Sequence, residues 1–271
     1  MLDAILMILT GGVISALFFI FYTLFDQYRF RSWKAFIAPA LICGFISVLF
    51  TIGLQWVMSQ FYDLASFMYS GHNRSIFVSP FIEEVAKGVT TIIALHLMKS
   101  DELLDSLFLA IAVGLGFAFF ENLLFASVLG GDGSAVVRMF ERSMVIAPMH
   151  AVQNFLFILL WLFIGKVVSN RFIVFLLAFP FPGISHAIWN WIALETGANL
   201  INLTIMIIVS RSIVYAIRVE KSRFIEAALQ SITPDEGDEM ASRPGIRELS
   251  IAASEEIYTL VLRKIPFINQ L

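Results

Sequence analysis

Seven apolar runs, separated by short polar turns, constrain this chain more than any other feature. They cover about 4–25, 35–58, 79–98, 104–129, 144–168, 171–195 and 199–217, each near the ~20 residues that span a bilayer. In hydrocarbon every backbone polar group must find an internal partner, so only helices and closed barrels cross. Runs of this length predict helices. Hydrophobic residues make up 59% of the 271 and charged residues 14%. Soluble domains average about 25% charged residues, so a soluble globular enzyme is excluded. The expected fold is an all-α, polytopic transmembrane helix bundle of about seven spans, with a cytoplasmic amphipathic C-terminal tail. The membrane domain is placed at 1–217 and the tail at 218–271.

The net charge of −3 comes largely from the tail and points to no nucleic-acid partner. A single cysteine, Cys43, lies in an apolar run, so neither a disulfide framework nor a Cys-based metal site is expected. The N-terminus lacks a basic region and a small-residue cleavage site, and the first run is read as a retained span. Lysine and arginine number roughly ten in the turns after spans one, three and five and at the start of the tail, against roughly three elsewhere. This places the N-terminus outside a cell membrane and the tail in the cytoplasm. In the tail, 218–230 and 246–268 read as amphipathic helices joined by an acidic linker.

Within this apolar background a few polar residues stand out. The third span opens Ser79-Pro80-Phe81-Ile82-Glu83-Glu84-Val85-Ala86-Lys87. Ser79 is the expected N-cap and Pro80 the first helical residue, which places both glutamates near the first turn. Glu83 and Lys87 are four apart, on one face, with Glu84 beside them. Two carboxylates crowded into a poorly solvated place cannot both ionise freely, a condition that suits a general acid or base. The fourth span carries Glu121 and Asn122, with no basic residue nearby in sequence, after small residues at Ala110, Gly114 and Ala118 and at Ala112 and Gly116. Such spacing lets helix backbones approach closely. Spans five and six repeat one pattern, His150 with Asn154 and His186 with Asn190, each His-x-x-x-Asn on one helical face. Because alternate spans run in opposite directions, Glu83, Glu84, Glu121, His150 and His186 all fall in one half of the bilayer, the extracytoplasmic half in the expected orientation. Ionisable residues cost at least ~2.5–3.5 kcal/mol each there, so a shared depth argues for a shared site.

Carboxylate, imidazole and amide groups together suit hydrolysis. A glutamate helped by a histidine can deprotonate water, and a second His/Asn pair can donate to the oxyanion. No serine sits in a Gly-x-Ser-x-Gly setting, so acyl transfer through a nucleophilic serine is disfavoured. His-Glu-x-x-His is absent, yet His150, His186 and a glutamate, Glu83 or Glu121, make an adequate zinc ligand set, so Zn2+ is a candidate cofactor. Two other classes fit the same residues: a proton- or cation-coupled transporter, and a non-catalytic membrane scaffold.

Glu83-Glu84-x-x-Lys87, the run Gly116 to Asn122, His150, and His186-x-x-x-Asn190 together resemble the PrsW family of intramembrane proteases, relatives of the CAAX-processing and bacteriocin-immunity (Abi) membrane proteases. The resemblance covers about residues 75–195, with the motifs in order. It implies endoproteolysis of a single-span, membrane-anchored protein in the lipid bilayer, an anti-sigma factor in PrsW itself, cut on the extracytoplasmic side. By analogy with the CAAX relatives, it implies that Glu83 and His150 activate water while His186 and Asn190 hold the oxyanion. Glu84 and Glu121 belong to the same catalytic set, with Lys87, Asn122 and Asn154 in support.

Overall fold

Every apolar run within the described residues is helical, as internal backbone pairing requires. The computed structural model describes residues 2–24, 34–60, 74–99, 103–128 and 135–196, and Ile208, Ser212 and Tyr215 singly. The helices are α1 (Leu2–Leu24), α2 (Lys34–Ser59), α3 (Ser79–Met98), α4 (Leu103–Val128), α5 (Ala135–Ile164), α6 (Arg171–Ala178) and α7 (Pro180–Thr196). A π-helical turn, Arg74–Val78, leads directly into α3, and no strand occurs among the described residues. Compactness divides the chain into Met1–Ser210 and Arg211–Leu271. The expected tail, 218–271, lies outside the described residues, as does the seventh run, 199–217, apart from the three single positions.

Five stretches are long and apolar enough to cross a membrane: Ile5–Tyr22, Lys34–Ser59, Asp105–Ala126, Ala135–Ile164 and Arg171–Ala193. Five of the seven expected spans are thus recovered among the described residues. α3 has the length, 20 residues, but carries Glu83, Glu84 and Lys87. The sixth run is two helices. Phe179 separates α6 from α7, and Pro180 stands where a missing N–H costs little, at the first position of a helix.

α4 is the centre. Every residue from Asp105 to Ala118 is buried, and α1, α2, α3 and α5 all pack on it. A helix apolar on all sides belongs in such a place. Around it, α1 exposes Ile5, Leu9, Val13 and Leu17, and α2 exposes Leu41, Phe45, Leu49 and Trp56. Apolar faces this long suit a lipid boundary and not water. The small residues on α4 do what their spacing predicts. A Cβ on Gly116 would overlap the carbonyl oxygen of Ala40 in α2, and one on Gly114 would overlap the carbonyl oxygen of His150 in α5. Gly114 therefore sets how closely His150 approaches the centre.

α5 starts nine residues before the expected 144. The segment Ala135 to Ser143 reads as polar in sequence, but Ala135, Met139 and Ser143 recur every four residues and are buried. Ala135 and Met139 pack with Met7 and Ala126. That apolar stripe continues the helix and places Arg138, Glu141 and Arg142 on it.

Gly116→Val should lower stability by about 1–3 kcal/mol, the usual cost of overpacking. Gly53→Ala in α2, where an added Cβ meets nothing, should leave stability unchanged or raise it by up to about 1 kcal/mol. Thermal unfolding of the detergent-solubilised protein distinguishes the two.

Candidate active site

Pro80 sits in the first turn of α3, but Ser79 is not its cap. The π-helical turn leads straight into the helix and puts Val78 at the cap position, where its apolar side chain can make no hydrogen bond. The Ser79 hydroxyl instead accepts from Gln55 Nε2 of α2 at 3.2 Å, and Gln55 Oε1 accepts from Arg74 at 2.8 Å. With Ser79 as the first helical residue, Glu83 and Glu84 stand in the second turn, deeper than expected. Both are buried, and Lys87 is wholly so. Of the two glutamates, Lys87 pairs with Glu84. Its Nζ donates to Glu84 Oε1 at 2.6 Å and to His150 Nδ1 of α5 at 2.8 Å.

From that ammonium the polar side chains form one chain across four helices. His186 of α7 donates through Nδ1 to Glu84 Oε1 at 2.7 Å, while its Nε2 stands 3.8 Å from Glu83 Oε2. Because Lys87 only donates, His150 accepts at Nδ1, and its Nε2–H donates to Glu121 Oε2 of α4 at 3.0 Å. The two imidazoles meet edge to face, 5.2 Å between centroids, and the Phe117 ring meets His150 in the same manner at 4.8 Å. Glu83, Glu84, Glu121, His150, His186 and Lys87 are therefore gathered at one place.

The three asparagines are placed differently. Asn154 Nδ2 donates to Thr91 Oγ1 and to the carbonyl of Ala110, both at 2.8 Å, which clamps α5 to α3 and α4. Asn190 Nδ2 donates to the carbonyl of Ser75 at 2.9 Å, fastening α7 to the π-helical turn. Asn122 is buried, its Cβ facing Gly11 of α1, and neither amide atom has a hydrogen-bond partner among the described residues. One site residue was missed in sequence: Arg142, whose Nη2 lies 2.9 Å from Glu121 Oε1. It falls in a stretch read as a turn. The four-residue recurrence of Ala135, Met139 and Ser143 is the signal that would have found it.

One donor atom each from Glu83, His150 and His186 lies within 4.8 Å of the other two, and all three residues are buried. Two histidines and a glutamate are a catalytic zinc ligand set. Glu84 on the far nitrogen of His186 leaves Nε2 free to ligate, the carboxylate–histidine arrangement that orients a metal ligand. Glu83 and the Nε2 of His186 fit a divalent metal ion, whereas both nitrogens of His150 are engaged, Nδ1 by Lys87 and Nε2 by Glu121, so His150 would ligate only by exchanging one of those bonds for the metal.

A family model described as PrsW family intramembrane metalloprotease matches residues 31–217, which include every residue of this network. No curated protein and no solved structure gives a match to the chain.

Lys87→Met should destabilise the fold by about 3–5 kcal/mol, because it leaves a buried carboxylate without its cation. Chemical unfolding of the wild type and variant in matched micelles measures the difference. A variant as stable as the wild type would show that Lys87 does not hold the helices together.

Proposed function

The chain belongs to the PrsW family of intramembrane metalloproteases, and on that premise we propose that it cuts a single-span, membrane-anchored protein on the extracytoplasmic side. It is a multi-pass membrane hydrolase. The substrate class we assign is an anti-sigma-factor-like protein, and the resident ion Zn2+. The N-terminus then lies outside the cell membrane and the tail in the cytoplasm. The observation that carries the reading is the hydrogen-bonded chain of Glu121, His150, Lys87, Glu84 and His186, closed by Glu83, within apolar helices.

Glu83 and His186 would hold the ion, and His150 would join them by exchanging its Nε2–H bond to Glu121 for the metal. When bound, zinc lowers the pKa of water and polarises a carbonyl oxygen. Glu121 takes the proton from the attacking water and returns it to the leaving amine, a role general catalysis gives a positioned carboxylate. Its side chain is 20% exposed while that of Glu84 is fully buried, so Glu121 is the better placed to meet water. Glu84 keeps His186 in one tautomer and one orientation. Lys87 fixes Glu84 and His150 against each other. Asn154 and Asn190 hold α5 and α7 at the distances the network needs.

Cleavage of candidate single-span substrates by the purified protein in liposomes tests this. Glu121→Gln and His186→Ala should each slow cleavage by on the order of 10²-fold or more. A chelator should abolish activity and Zn2+ restore it. Full activity in chelator would remove the metal from the reading, and full activity in Glu121→Gln would remove that residue as the base.

A further inference from the structure

Glu121 is gripped twice by one helix. Its Oε2 accepts from His150 at 3.0 Å and its Oε1 lies 2.9 Å from Arg142 Nη2, and both partners belong to α5, about two turns apart. The arginine is itself held down. Its guanidinium carbon stands 3.5 Å from the ring centroid of Phe125, one turn after Glu121 on α4. Arg142 thus lies along α4 from Phe125 to Glu121. Its Nη2 and Nε are shut off from solvent, although the side chain as a whole is 20% exposed. The approach to Glu121 is close but lacks hydrogen-bond alignment. The attraction is one of charge in a poorly screened place and does not depend on the fork geometry of a guanidinium.

We propose that Arg142 is a positioning residue for the proteolytic reaction. It pins one oxygen of Glu121 so that the other stays turned toward His150 and the reacting water. This inference rests on the reading of Glu121 as the base. An unpinned carboxylate can rotate about its last bonds, and a misplacement of about 1 Å at a reacting group costs about 10²-fold in rate. Binding of the substrate helix, by contrast, does not involve Glu121 Oε1, so kcat should change and KM should not.

The experiment is steady-state cleavage by the full-length protein in liposomes. Arg142→Gln should lower kcat by about 10²-fold with KM within about twofold of wild type. Arg142→Lys, which keeps the charge, should recover to within about fivefold of wild type, as an attraction of charge alone requires. In the residual activity of Glu121→Gln, adding Arg142→Gln should cost nothing more, whereas a merely structural arginine would cost the same in both backgrounds. Arg138→Gln, exposed one turn earlier on α5, should match wild type. If Arg142→Gln does not assemble, the lysine variant decides alone, and a kcat below one-tenth of wild type overturns the proposal. It is also overturned by wild-type kcat in Arg142→Gln, by a loss confined to KM, or by an equal loss in the Glu121→Gln background. An active Glu121→Gln instead refutes the assignment of the base. An inactive Glu121→Gln beside a fully active Arg142→Gln refutes only the positioning role.

Discussion

One buried ammonium holds the centre of this protein together. Lys87 has no exposed surface, and its Nζ stands 2.6 Å from Glu84 and 2.8 Å from His150. A lone charge there would be ruinous in free energy, and two adjacent glutamates without a cation equally so. Each member of the network is tolerable only because the others are present. Lys87 links α3 to α5, Glu84 links α3 to α7, and His150 links α5 to α4. The same contacts that make the charges affordable set the rotation of each helix.

Around this polar knot, close packing sets the distances. Gly116 lets α2 lie directly against α4, and Gly114 admits the backbone of His150. The fully buried face of α4 supports this, while α1 and α2 turn leucine, isoleucine and phenylalanine outward. The exposed edge of the knot is the Glu121–Arg142 pair, each side chain 20% open. A hydrolase in a membrane must admit water somewhere without letting it flood the buried pair at Lys87. The gradient from fully buried Lys87 and Glu84 to part-open Glu121 meets both demands.

Much of this was legible from residue order. The six apolar runs within the described residues predict helices and are helices, and Glu83, Glu84, Lys87, Glu121, His150 and His186 do meet. The spacing of small residues on α4 predicts close packing, and Gly114 and Gly116 supply it. The differences have separate causes. Helical spacing puts Glu83, Glu84 and Lys87 together without choosing the lysine's partner, and the structure gives it Glu84, with His150 and His186 arriving from other helices. The neighbours of Ser79 suggest a cap, but a π-helical turn precedes it, Val78 takes the cap position, and the Ser79 hydroxyl accepts from Gln55. Arg142 was hidden in a segment whose charges outweighed a four-residue apolar recurrence.

The amino-acid order alone determined the helices and the chemistry available. Helix formation in an apolar run is settled within the segment, because its backbone groups can be satisfied nowhere else. It also determined the family to which the chain belongs. Which carboxylate receives which proton donor was decided by the tertiary structure. His150 lies 63 residues from Lys87, and His186 lies 102 from Glu84. Partners that far apart are chosen by how closely their helices approach and at what rotation, and no local pattern encodes that.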